Sequence, residues 1–308
     1  MKRFLCLLLC LAFALGAVPA LADQPKPIEV IPYEELPVPY DGQLLYLLLC
    51  VVQWHGKPGN LGNTDGIVLL TVDTRAHRIM LTSFIRDALV VRPDGKIGRI
   101  NYIAKNYSPE DLCKVISQHV GTKVEKYILF DFDQIQKIID YLGGVHITVT
   151  DAEASYLKRY AISKTATKPA MANAGTYLFG GHAAVIYMRI RKAGVGGDFM
   201  RTQRVRTVLS TLADQCREIT YEDAKALVDN VMQNTTMTNM TLEELLQAMD
   251  YAYGLRGCTI EELRIPRDGA SSPINYANMS VQEIDWPVCR EAFADYLQNS
   301  FLVMDDED

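Results

Sequence analysis

The sequence predicts an α/β fold: a single three-layer α-β-α domain around a mixed central sheet. Three observations carry this reading. Leu44 to Val52 and Ile67 to Val72 are almost continuous apolar runs, as strands buried on both faces require. Segments with apolar residues at helical spacing, such as Leu112, Val115, Ile116 and Val120, alternate with such runs. The chain has 308 residues, 49% of them hydrophobic, enough to enclose a sizeable core. Strands alternating with helices bury their apolar faces by packing helices against both sides of a sheet.

The elements follow in order. Lys2 and Arg3 precede an apolar run from Phe4 to Val18, and Ala20-Leu21-Ala22 offers small residues for cleavage. Residues 1–22 therefore read as a secretory signal peptide. The run is also close to the ~20 residues of a spanning helix, so an uncleaved anchor is the alternative. Residues 23–43, rich in proline, form an extended lead-in. The folded domain is expected over 44–300, with an acidic tail at 301–308. Within it, Leu44 to Val52 is a strand and 55–65, rich in Gly and Asn, is a loop. Ile67 to Val72 and Ile79 to Phe84 make a hairpin across a turn at 73–78. Ser108-Pro109 starts a helix that Gly121 stops. Tyr127 to Phe132 is a strand, Asp133 caps a helix carrying Ile135, Ile138, Ile139 and Leu142, and Val145 to Val149 is a further strand. Residues 158–173 are polar and irregular, a candidate mobile insertion. Ala183 to Met188 is a short helix or strand that runs into Arg189. After a glycine-rich loop at 193–197, Asp198 opens a long helix with Val205, Val208, Leu209 and Leu212 on its apolar face. Further helices fall at 223–232, 241–253 and 291–297.

The cysteines left after the leader are Cys50, Cys113, Cys216, Cys258 and Cys289. They are odd in number, widely spaced and without a C-x-x-C pair, so buried free thiols are expected rather than a zinc or redox motif. The five histidines lack metal-ligand spacing, and no G-x-S-x-G offers a hydrolase nucleophile. Cleavage of the leader removes Lys2 and Arg3 and takes the formal charge from −6 to −8. That charge and the leader argue against a nucleic-acid partner. Against this acidic background, Arg189 to Arg206 holds six basic residues and one acid. A local arginine cluster in an acidic protein points to a specific anion site.

Three segments carry the chemistry: Asn63-Thr64-Asp65, Ser83 to Asp87, and Tyr187 to Arg204. If 187–191 is extended, Arg189 and Arg191 point to one side. Arg201 and Arg204, three apart in the first turns of a helix, share a face. Helix N-terminal N–H groups and forked guanidinium groups both bind phosphate oxygens. The alternative is a solvated basic face paired with the acidic C-terminal half.

These segments resemble the LytR–CpsA–Psr family of envelope proteins. The family pattern has Arg-Ser-Asp before a strand, Ser-Ile-Pro-Arg-Asp after the next, and Gly-Gly-Val after a helix. Tyr-Val-Arg-Phe-Arg and Asp-Phe-x-Arg-x-x-Arg-Gln follow. Here they read Thr64-Asp65, Ser83 to Asp87, Gly143-Gly144-Val145, Tyr187 to Arg191 and Asp198 to Arg204. The resemblance runs from about Leu44 to Leu297. It implies a phosphotransferase at the extracytoplasmic face of a bacterial membrane, secreted or anchored. Such a protein moves a glycopolymer phosphate from a polyprenyl pyrophosphate carrier to a peptidoglycan sugar hydroxyl. By the same resemblance, Arg86, Arg189, Arg191 and Arg201 clamp the pyrophosphate, with Arg204 beside them. Arg86 and Asp198 take catalytic roles, Asp198 acting on the acceptor hydroxyl, and Asp65 is a Mg2+ ligand. The lipid tail would lie in an apolar tunnel.

The chain departs from the pattern in three places. Gln53 stands where relatives carry an aspartate, Asn63 replaces the Arg of Arg-Ser-Asp, and Val205 replaces the Gln after the last Arg. Magnesium prefers anionic oxygens, so its binding is expected to depend on the substrate's own phosphates. The same loss motivates a second expectation: a relative that binds polyprenyl phosphates as carrier or regulator without transferring anything.

Overall fold

The apolar run at the start of the domain forms β1 (Leu44–Trp54), paired antiparallel with β2 (Leu61–Asp73), which pairs antiparallel with β3 (Arg78–Phe84). The computed structural model describes residues 24–37, 44–54, 61–158, 173–191, 197–235, 237–258 and 260–298; the side chains at 44, 53, 54, 197, 198 and 298 are excepted. A small hairpin of β4 (Leu89–Val91) and β5 (Ile97–Arg99) leads into α1 (Ile103–Asn106) and α2 (Pro109–Val120). β6 (Lys126–Phe130) returns parallel to β1 and is followed by α3 (Phe132–Tyr141). β7 (Val145–Val149), α4 (Asp151–Leu157) and β8 (Gly175–Phe179) come next, with β7 and β8 paired in a separate ribbon. The chain continues through α5 (Gly181–Met188), α6 (Gly197–Gln215), α7 (Tyr221–Gln233), β9 (Met237–Thr238) and α8 (Leu242–Gly254). It closes with β10 (Ile260–Ile265), the hairpin of β11 (Ser271–Tyr276) and β12 (Met279–Ile284), and α9 (Trp286–Gln298).

The central sheet runs β10-β3-β2-β1-β6-β9, with parallel and antiparallel neighbours, so it is mixed. Tyr46, Leu48, Cys50 and Val52 of β1 face one way, into a core with residues of α2 and α9. The opposite face carries Leu47 and Val68, against residues of α3, α5, α6 and α8. Helices thus cover both faces of one sheet, giving three layers.

Local chemistry explains the helix ends. The Ser108 hydroxyl accepts the Asp111 N–H at 3.0 Å, and Gly121 takes φ +88° to end α2. The α3 cap is Asp131, not Asp133. Its carboxylate accepts the Gln134 N–H at 2.8 Å, while the Gln134 side chain accepts the Asp131 N–H at 2.9 Å. This reciprocal pair satisfies two helix-end donors and starts the helix earlier than the apolar spacing indicates.

Other expectations shift. Residues 61–65 are strand rather than loop, because β1 supplies their pairing partners. Residues 187–191 are not extended. The Arg189 N–H bonds the carbonyls of Val185 and Ile186, so Arg189 closes α5. The five cysteines are free thiols. Of the lead-in, residues 24–37 lie along α2 and α9: the Ile31 N–H reaches the Gln118 carbonyl at 3.2 Å, and Arg290 reaches the Glu29 carbonyl at 3.2 Å. No described helix is long and apolar enough to cross a membrane. The leader, most of the insertion, the loop at 192–196 and the acidic tail lie outside the described residues.

Candidate functional site

The site begins at a defect in the sheet. Val51 pairs with Gly66, but Val52 pairs with Thr64, so Asp65 is an extra residue on β2. A bulge bends its strand and re-aims the side chain there. Asp65 and Gly66 line one cleft together with Phe132, Arg189, Arg201 and Val205.

Three arginines from separate parts of the chain converge on the Asp65 carboxylate. Arg86, two residues beyond β3, donates to Oδ1 at 2.7 Å. Arg201, in α6, stands 3.4 Å from the same oxygen. Arg191, beyond α5, lies 3.4 Å from both oxygens. Their side chains grade outward: Arg201 is 3% exposed, Arg86 15% and Arg191 41%. The Asp65 carboxylate is shared among three guanidinium groups, and Arg86 also pairs with Asp87 at 3.5 Å. Forked guanidinium groups gathered from separate elements in a partly desolvated cleft suit the oxygens of an anionic ligand. Arg189 stands in the same cleft with its guanidinium 4.5 Å above the Phe132 ring, a cation–π platform. The sequence places Phe132 only at the end of a strand; it is the first residue of α3.

Arg204 is placed otherwise than beside the clamp. Its side chain is 2% exposed; Nε donates to Glu153 at 2.7 Å and Nη1 to the Ile190 carbonyl at 3.1 Å. It lies one helical step from Arg201, yet it is buried and bonded to Glu153 and the Ile190 carbonyl rather than to Asp65. Arg206 is also buried, bonding Ser83 and Glu262, and so ties α6 to β3 and β10. Asp198 is the second residue of α6 and Gln53 the last but one of β1; their side chains are not among those described.

The charged cleft opens on an apolar chamber of about 250 Å³. Val51, Gly66, Met188 and Val205 line both, and every residue lining the chamber is apolar. Val205, where the family has Gln, therefore serves as wall at the junction. Gly66 keeps the junction narrow but open: a Cβ there would stand 3.1 Å from Val51 Cγ2 and 3.9 Å from Val205 Cγ1. A cluster of guanidinium groups and an apolar space thus adjoin one another.

The described residues do not form a ready magnesium site. Asp65 is ringed by guanidinium cations, and no described group of three or more His, Cys, Asp or Glu residues could hold a metal. A dication beside three guanidinium groups and one carboxylate is electrostatically disfavoured unless further anions arrive.

The LytR_cpsA_psr family model matches residues 46–289. The chain belongs to the LytR–CpsA–Psr family. It is 23% identical over 232 residues to the polyisoprenyl-teichoic acid–peptidoglycan teichoic acid transferase TagV of Bacillus subtilis (strain 168), covering 71% of this chain and 56% of that protein. The chain spans just over half the length of the first curated relatives it matches. Among solved structures, TagT bound to LIIa-WTA superposes with a TM-score of 0.67 at 19% identity, covering 91% of this chain and 97% of that one. The family protein YwtF (TagT) with bound octaprenyl pyrophosphate lipid superposes with a TM-score of 0.63 at 17% identity, covering 85% and 92%. These likenesses establish the LytR–CpsA–Psr fold for this chain.

Proposed function

We propose that this family member transfers a glycopolymer phosphate from a polyprenyl pyrophosphate carrier to a sugar hydroxyl of peptidoglycan, at the extracytoplasmic membrane face. The observation that carries this reading is the junction of an arginine cluster with a wholly apolar chamber. An amphiphile with a multiply charged anionic head matches both halves. The relatives, a teichoic acid transferase and a family structure holding octaprenyl pyrophosphate, support the same substrate class.

In this reading Arg86, Arg191 and Arg201 give up part of their hold on Asp65 and donate to the pyrophosphate, while Arg189 closes the cleft from the Phe132 side. The acceptor hydroxyl attacks the phosphorus on the glycopolymer side. The bond from that phosphorus to the bridging oxygen breaks, and polyprenyl phosphate leaves with its new charge held by guanidinium groups. The hydroxyl proton passes to a carboxylate, for which Asp198 is the candidate. Phosphoryl transfer needs positioning and charge neutralisation above all, and the arginines supply both.

The test is transfer of a lipid-linked glycan phosphate to peptidoglycan fragments, with binding of polyprenyl phosphate measured alongside. Arg189→Glu should abolish binding and transfer, whereas Arg256→Glu, in the acidic half, should leave both intact. Equal loss in the two variants would replace the site with a diffuse charge effect. Binding without transfer would favour the carrier or regulator reading that Gln53 motivates. Magnesium should bind weakly to the free protein and clearly once a polyprenyl pyrophosphate is present, read by calorimetry. Tight binding by the free protein would contradict the account of Asp65.

A further inference from the structure

We propose that Glu153, through Arg204, is a positioning residue for the arginine clamp. The inference rests on the pyrophosphate reading of the cleft and adds residues to it that touch no ligand.

Every link is a direct contact. The Glu153 Oε2 accepts the N–H of Thr150 at 3.0 Å and its hydroxyl at 3.1 Å, which fixes the carboxylate at the start of α4. The other oxygen, Oε1, accepts Arg204 Nε at 2.7 Å. Arg204 Nη1 then donates to the Ile190 carbonyl at 3.1 Å. Ile190 is the residue between Arg189 and Arg191, and its side chain is fully buried. Its main chain is therefore held twice, by apolar packing and by a charge-assisted hydrogen bond. The two arginines on either side leave from that fixed point, one toward Phe132 and the other toward Asp65. The segment needs such a hold: it follows the end of α5 and is not paired in a sheet.

Stability alone is a weak reason for this pair. Glu153 and Arg204 are 5% and 2% exposed, and a buried ion pair is commonly replaced by apolar residues without loss of stability. What apolar residues cannot do is hold the Ile190 carbonyl. Guanidinium can bind carboxylate and carbonyl at once, because its donors diverge in a rigid fork. Lysine would keep the charge and lose that fork.

The experiment uses the full chain with Glu153→Gln and Arg204→Lys. Binding of geranylgeranyl pyrophosphate and of geranylgeraniol is measured in detergent, with thermal unfolding recorded for each variant. The expected result is a loss of about tenfold in pyrophosphate affinity, with alcohol binding changed less than about twofold and the protein folded. A merely structural defect would weaken the alcohol in proportion. A second readout is coupling: Arg204→Lys should cost nothing more in a protein already carrying Arg189→Gln and Arg191→Gln. Proportional loss of both ligands, full additivity, or two variants that fail to fold would each overturn the proposal. Wild-type protein that binds the alcohol as well as the pyrophosphate would instead overturn the pyrophosphate reading, and this inference with it.

Discussion

The two faces of the sheet are packed for different work. On the face covered by α2 and α9, large side chains close the core: Trp286 is 1% exposed and its indole N–H donates to the Leu89 carbonyl at 2.9 Å. His119 lies against it, ring centroids 4.5 Å apart. On the face covered by α3 and α5 through α8, the helices stand off. They leave the 250 Å³ chamber and, beyond Val231, a second apolar cavity of about 340 Å³. One face is a rigid base and the other a container, and the Asp65 bulge sits at the sheet end between them. The comparison teaches that, among the described residues, the two apolar spaces lie under the helices of one layer while large side chains fill the other.

The largest expected effect tests the rigid face through pH. His119 is buried; its Nδ1–H donates to the Val115 carbonyl at 2.6 Å and Nε2 accepts the Val91 N–H at 3.2 Å. Burial, with Arg290 adding to it against the Val115 bond, pushes its pKa down to about 4. The unfolded chain takes up this proton near pH 6.5, the folded protein only near pH 4, so stability is intact above 6.5 and falls as pH drops toward 4. The loss across that window should reach about 3 kcal/mol. Denaturant unfolding from pH 7 to 4 measures it, and His119→Gln should flatten the curve. An unchanged slope in the variant would assign the acid sensitivity to other groups.

How legible was this contrast in the sequence? Element type was readable wherever a cap and a period coincide, as at Ser108 to Gly121, because both signals are local. The start of β2 was not, since Gly62 and Asn63 disfavour strand and are held there by β1. β10 escaped because Glu261, Glu262 and Arg264 break its apolar run at the sheet edge. In the site, the resemblance marked Asp65 and grouped Arg86, Arg189, Arg191 and Arg201 as one clamp, but not that three of these arginines meet on the Asp65 carboxylate. Arg204 shows the limit: spacing puts it near Arg201, while depth is set by Glu153, fifty-one residues away. The chamber was unreadable for a similar reason. Apolar residues that line a void and apolar residues that fill a core have the same pattern.

Truncation on each face sharpens the contrast. Leu48, fully buried on the rigid face, should cost about 3 kcal/mol as Leu48→Ala, because its neighbours cannot collapse into the space. Leu209 already borders the chamber, so Leu209→Ala removes fewer contacts and should cost about 1 kcal/mol. Chemical denaturation of both variants gives the difference directly. Equal costs would mean that the chamber is closed up in solution.

A last substitution probes the junction where container meets charge. Gly66 lies in ordinary strand backbone on β2, so a side chain is tolerated by the main chain there. The room is what is lacking, since even a Cβ comes within 3.1 Å of Val51 Cγ2. In Gly66→Val the added methyl groups would extend into the passage between Asp65 and the chamber, displacing the first part of a bound tail but not the head. Geranylgeranyl pyrophosphate should therefore lose about tenfold in affinity, roughly 1.4 kcal/mol, while inorganic pyrophosphate is unaffected. Calorimetric titration with the two ligands separates the cases. Parallel loss of both would mean that the substitution distorts the bulge and the arginine cluster itself. No loss in either would place the tail outside the chamber, and the anionic head would then bind without the apolar space that adjoins it.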